Sequence, residues 1–254
     1  MKKCPRCGSQ KFWELSTGQS RCKSCNLTRK FNTVLWQKTR ISPYWKGRLI
    51  EYFCFGVPVY RLRFQIPLDR KTILRWFRIL RETIYDHESK KLSALSGEIE
   101  MDETMFGGKR PGKRGWGAFG KHMVFGMFQR HGKVLTFPIN SRGKQEMVPL
   151  MTAYTKTGSL YYTDAWHAYT FLDIRGNHVI IRKEKGRPKG RNHINGIEGF
   201  WSYAKHWLYH YRGVPSQNFH LYLKEIEWRF NNREENLVKI LRKYLNQPVV
   251  KEQI

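Results

Sequence analysis

The sequence predicts an α/β protein, a sheet with helices packed on it, preceded by a small metal-stapled segment and a helical domain. Three observations predict it. Four of the five cysteines fall in two C-x-x-C pairs within the first 25 residues. Residues 42 to about 92 place apolar side chains at helical spacing. From Gly97 onward, strand-like runs first pair as a hairpin and then alternate with helical stretches. A length of 254 residues accommodates one large domain with one or two small ones.

Residues 1–36 are expected to form a zinc ribbon. Cys4-Pro-Arg-Cys7 and Cys22-Lys-Ser-Cys25 are separated by 14 residues, the spacing of a four-thiolate site. Each pair is a tight knuckle aiming two sulfurs at one ion, and Gly8 and Asn26 suit the backbone after each turn. A redox C-x-x-C and disulfides are the competing readings; paired knuckles in an intracellular chain favour Zn2+. Four protein thiolates leave no open coordination position, so the zinc is structural, supplying folding free energy where no core can form. Cys54, alone, reads as a small buried hydrophobe.

Residues 37–92 are expected to form a helix-turn-helix-like DNA-binding domain. Ser42 is an N-cap followed by Pro43, and a first helix covers residues 44–55 up to Gly56. Asp69 caps the next helix, whose Ile73, Trp76, Phe77 and Leu80 share one face. Arg70, Lys71, Arg75, Arg78 and Arg81 take the other, as a major-groove reader requires. An ordinary three-helix unit with a wet basic side is the alternative. A linker is expected over residues 89–97.

Residues 97–213 are expected to be the catalytic domain. Strands are expected at 97–104, 122–128, 133–139, 160–163 and 178–182, with helices at 145–154, 165–172 and about 194–210. A further helix at 217–245 dominates residues 214–254. Basic segments lie at 107–117 and 182–191, the latter offering Arg187, Lys189 and Arg191 to DNA. The net charge of +27 attracts polyanions but says nothing of fold. No apolar stretch is long enough for a membrane, and the basic N-terminus lacks a signal-peptide core, so a cytoplasmic, nucleoid-associated protein is expected.

Against that charge, Asp102, Asp164 and Glu198 stand out. The first two end strand-like runs, where open α/β sheets gather ligands, and the third begins a helix. Carboxylates in a chain that meets DNA repel it unless cations lie between. Three converging carboxylates could hold two Mg2+ (or Mn2+) ions for phosphoryl transfer. Alternation along 97–104 puts Glu100 beside Asp102, as an extra ligand or an orienting neighbour, and turns Glu103 away. Lys205 lies two helical turns beyond Glu198 and could meet a phosphate. Asp164 could instead cap the helix expected at 165–172, and His193 could be a ligand, a base or a solvated side chain.

Asp102-Glu-Thr-Met-Phe-Gly-Gly-Lys109, Thr163-Asp-Ala-Trp-His-Ala-Tyr169 and His193-Ile-Asn-Gly-Ile-Glu-Gly-Phe-Trp-Ser-Tyr-Ala-Lys205 resemble motifs of bacterial insertion-sequence DDE transposases, in their zinc-ribbon, ISXO2-like group. The resemblance extends over nearly the whole chain, including Glu227-Trp-Arg-Phe-Asn-Asn-Arg233. It implies a ribonuclease-H-like catalytic domain, recognition of element terminal repeats, and divalent-metal strand cleavage and strand transfer. Asp102, Asp164, Glu198 and Lys205 match the catalytic positions. The group varies at the third acidic position, which keeps Asn195 and His193 as alternatives to Glu198. A homodimer or larger assembly on double-stranded DNA, holding both element ends and target, is expected. The rival readings are a nuclease that cuts without joining and a zinc-ribbon regulator without catalysis.

Overall fold

The computed structural model describes residues 4, 6–16, 19–29, 40–107, 121–181, 190, 192–211 and 213–246. The basic segments at 108–117 and 182–189, and the DNA-contact candidates Arg187, Lys189 and Arg191, lie outside the described residues.

Three short strands, β1 (Phe12–Glu14), β2 (Ser20–Cys22) and β3 (Thr28–Arg29), form an antiparallel sheet between and beyond the cysteine knuckles. Helix α1 (Pro43–Cys54) starts where the Ser42 side chain accepts from the Trp45 N–H, with proline in its first turn. Helix α2 (Arg70–Lys90) starts at Asp69, which accepts from the Thr72 N–H at 2.9 Å. It runs into the stretch expected to be a linker.

The central sheet contains β4 (Glu98–Phe106), β5 (His122–Gln129), β6 (Val134–Ile139), β7 (Leu160–Thr163) and β8 (Asn177–Ile180), in the order β6-β5-β4-β7-β8. β4, β5 and β6 pair antiparallel; β7 and β8 run parallel to β4. Helix α3 (Lys144–Tyr154) makes the crossover from β6 to β7. The segment expected to be a helix at 165–172 is a 3-10 helix, His167–Ile174.

Side chains alternate across this sheet and feed two cores. Ile99, Met101, Phe125, Met127 and Tyr161 pack with Met147 and Met151 of α3 and with Tyr169. On the other face lies α4 (Asn195–Tyr209), whose Ile197, Phe200, Trp201 and Ala204 are buried at i, i+3, i+4, i+7. A third core joins α1 and α2 to the C-terminal helices through Trp228, Leu241, Tyr244 and Leu245. Among the described residues, no helix is long and apolar enough to cross a membrane.

The single helix expected over 217–245 is two: α5 (Phe219–Asn231) and α6 (Leu237–Asn246). Asparagines cause the break. The Asn232 side chain donates to the Trp228 carbonyl at 2.7 Å, and Asn236 accepts from the Lys239 N–H at 3.0 Å, capping α6.

Helix α5 ties the sheet to the helical part. On one side it satisfies edge strand β6: the Asn231 side chain bonds both the N–H and the carbonyl of Val134, and Glu227 accepts from the Thr136 N–H and hydroxyl. Covering a sheet edge in this way leaves fewer backbone groups open to another chain. On the other side, fully buried Glu225 pairs with Arg81 of α2 at 2.6 Å and with Arg229 at 2.8 Å. Arg229 also donates to the Cys54 carbonyl at the end of α1. Arg81 therefore belongs to the interior and leaves the exposed basic face expected of it.

Candidate functional site

The parallel register of β4 and β7 builds the site. Glu98 pairs with Leu160, Ile99 with Tyr161 and Glu100 with Tyr162. Carried two residues onward at the same offset, that register sets Asp164, just past the end of β7, beside Asp102, which lies in the middle of β4 rather than at its end because that strand continues to Phe106. Both even-numbered side chains fall on the face covered by α4. Asp102, Asp164 and Glu103 each present a carboxylate oxygen, and the three oxygens lie within 4.8 Å of one another.

Asp102 is half-buried and held from above. The Trp201 indole N–H of α4 donates to Asp102 Oδ2 at 3.1 Å. Gly126 faces Asp102 on β5, and a Cβ there would sit 2.4 Å from the Trp201 ring. Glycine at this position makes room for the indole. Gly196 does similar work one turn earlier: a Cβ there would meet Phe128 at 2.3 Å. The approach lets the Ile197 N–H donate to Glu100 Oε2 at 2.9 Å. A carboxylate beneath the first turn of α4 is favoured by the N–H groups it faces. Glu100 also takes Arg130 Nε at 2.8 Å, and His193 lies 3.7 Å from it. Glu100 thus orients α4, and His193 stands at that helix start, where its ring accepts from the Asn195 N–H.

Asp164 accepts from the Trp166 N–H at 3.0 Å, fixing the turn after β7. Arg142, in the loop after β6, lies 3.0 Å from Glu103 and 3.5 Å from Asp164, with its guanidinium 4.3 Å from the Trp166 ring centre. The Trp166 indole N–H donates in turn to the Arg142 carbonyl. Burial pushes the Glu103 carboxyl up to about 7; Arg142 opposes this, while Asp164 and Asp102 add to it. Burial likewise raises Tyr169 well above its ordinary value, with the charges of Glu103, Asp102 and Asp164 adding to the effect.

Glu103, Arg142 and Trp166 escape a reading by periodicity. Alternation correctly turns Glu103 to the other sheet face, but β7 has ended beside it and its carboxylate still reaches the same cluster. The adjacency of two acids in Asp102-Glu103 was the available signal. Glu198 lies in the first turn of α4 and Lys205 two turns on; both are exposed, and Glu198 is outside the group of three. Arg70, Lys71, Arg75 and Arg78 are exposed on α2, Arg78 pairing with Glu82 at 2.8 Å.

The four sulfurs of Cys4, Cys7, Cys22 and Cys25 also lie within 4.8 Å of one another. A tetrahedral zinc with ~2.3 Å bonds needs sulfurs about 3.8 Å apart, and the Cys4–Cys25 and Cys7–Cys22 pairs stand at 3.5 Å. Backbone N–H groups meet each sulfur. At Cys22 the burial that would raise the thiol is outweighed by the N–H groups of Cys25 and Ser24, which bring it to about 6. At Cys7 the Ser9 N–H is outweighed by burial and the neighbouring sulfurs, which push the thiol up to about 12, so the proton is shared unevenly within the pair. Donors of this kind stabilise thiolate, the form that binds metal.

Residues 94–231 match the family described as ISXO2-like transposase domain, and the chain belongs to that family. It is 35% identical over 120 residues to an uncharacterized transposase-like protein of Haemophilus influenzae, spanning 46% of this chain and 98% of the relative. The crystal structure of the Mos1 strand transfer complex aligns with 80% of each chain at 11% identity and a TM-score of 0.24. Family membership implies use of a divalent metal ion.

Proposed function

We propose that this chain is a DNA transposase that binds the terminal repeats of its element, hydrolyses a phosphodiester to expose a 3′-hydroxyl, and joins that hydroxyl to target DNA. The observation that carries this reading is the juxtaposition of Asp102, in the middle of β4, and Asp164, just past the end of the parallel strand β7, with Glu103 beside them. Three oxygens so close fit a hard divalent cation, Mg2+ or Mn2+. When bound, such ions activate the attacking oxygen and stabilise the leaving one.

The chain's own residues do the rest. Trp201 fixes one oxygen of Asp102, and Arg142 spans Glu103 and Asp164, so both aspartates are oriented before substrate arrives. Glu198 is the third carboxylate, offered from the first turn of α4 three residues before Trp201. Lys205, on the same stripe, places an ammonium against a phosphate. The mixed five-stranded sheet supports a ribonuclease-H-like catalytic domain over 97–213. Residues 1–36 are read as a zinc ribbon, and residues 37–92 as the helix-turn-helix-like part that contacts duplex DNA through Arg70, Lys71, Arg75 and Arg78. Arg187, Lys189 and Arg191 add phosphate contacts ahead of α4. Helices α5 and α6 hold the helical part against the sheet. Because two ends are joined in one event, a dimer or larger assembly forms on DNA.

Labelled element-end duplex incubated with the protein and Mg2+ or Mn2+ tests this. Cleaved strands plus a joined product are expected. Cutting without joining would make the protein a nuclease, and no cutting with intact binding would make it a regulator.

A further inference from the structure

A groove of about 920 Å³ opens between the start of α2 and the far end of α4. Arg70, Arg75 and Arg78 line one wall, and none of the described lining residues is acidic. Tyr60 and Tyr209 stand at its rim, 57% and 64% exposed. Two donors lie at its buried floor. Arg81 is 3% exposed, and its Nη2 makes no hydrogen bond among the described residues; nor does the Tyr211 hydroxyl. Burial raises Tyr211 above its ordinary pKa, so it keeps its proton and can donate.

We propose that this groove holds unpaired nucleotides of the DNA strand. The inference rests on the DNA reading above and adds to it a site for bases. Intact duplex shows phosphates outward and hides base faces in the stack, so it would satisfy the arginines but reach neither the tyrosine faces nor the recessed donors. An unstacked base supplies both a π-face for Tyr60 or Tyr209 and acceptors for Arg81 and Tyr211. Tyr209 lies eight residues beyond Trp201 on α4, about 12 Å along the helix. That spacing suits a strand whose scissile phosphate sits at the Asp102 cluster while its frayed flank enters the groove.

The test uses the full-length protein and two fluorescein-labelled probes at one salt concentration: a twelve-nucleotide oligo-dT and a twelve-base-pair duplex. Tyr60→Ala and Tyr209→Ala are each expected to weaken oligo-dT binding by about 5- to 150-fold, with duplex binding changed less than twofold. Tyr211→Phe, which keeps the ring and removes the donor, should weaken oligo-dT binding by about 2- to 10-fold. Tyr209→Trp should retain wild-type binding. Equal oligo-dT binding by wild type and the alanine variants, or equal losses on both probes, would overturn the groove assignment and leave duplex recognition standing. Failure of the wild type to bind either probe would overturn both readings.

Discussion

Trp201 reaches Asp102 because the residue opposite Asp102 is glycine. The indole N–H to carboxylate bond, at 3.1 Å, links helix α4 to strand β4 at the point where the candidate site begins. Gly126→Ala would put a methyl 2.4 Å from the Trp201 ring. The variant is expected to lose about 1–3 kcal/mol of stability and to cleave element ends more slowly. Trp201→Phe should retain most packing, cost about 0.5–1.5 kcal/mol, and still slow cleavage. Thermal unfolding and cleavage rates, measured together, separate the two effects; wild-type cleavage by both variants would remove the role given to this bond.

Glu103 predicts a pH dependence. Its carboxyl is held up to about 7 by burial, against an ordinary 4.5. An acid whose pKa is higher in the folded chain than in the unfolded one binds its proton more tightly when folded. Its contribution is full below about 4.5 and is lost as pH rises through 7. The difference amounts to roughly 3 kcal/mol. Urea midpoints of metal-free protein between pH 5 and 8 should therefore fall more steeply for wild type than for Glu103→Gln. Parallel curves would show that Glu103 titrates normally.

The Arg81–Glu225–Arg229 triad is fully interior, with no side chain more than 3% exposed. Glu225→Ala leaves two buried guanidinium groups without their counter-charge and is expected to cost about 3–5 kcal/mol. Chemical denaturation measures it. A loss below 1 kcal/mol would mean that water or rearrangement replaces the carboxylate.

The cysteine cluster is expected to carry one zinc per chain, detected by elemental analysis. Chelation should leave residues 1–36 sensitive to protease while the sheet and its helices resist, because the first segment has no core of its own. Protein purified without zinc and equally protected there would contradict the ribbon reading.

Local chemistry made much of this architecture legible. Ser42 and Asp69 cap α1 and α2 as their side chains suggested, and the β5–β6 hairpin follows from alternation around a Gly-containing turn. Asp102 and Asp164 are legible as acids closing apolar runs, but β4 continues four residues past Asp102, and only register sets the two side by side. What escaped depended on partners remote in sequence. Arg81 continues the spacing of an exposed basic face, yet Glu225, 144 residues away, draws it inside. Arg142 meets Glu103 and Asp164 through a loop that periodicity cannot place. Spacing alone carries the C-terminal helix through Asn232 and Asn236, but their side chains cap and so divide it.

Calorimetric titration of Mn2+ into wild type, Asp102→Asn and Asp164→Asn tests the shared-ion site most directly. Each substitution is expected to weaken Mn2+ binding at least about tenfold, with thermal unfolding of the metal-free protein otherwise preserved. Undiminished binding by both variants would show that these two aspartates do not hold the ion.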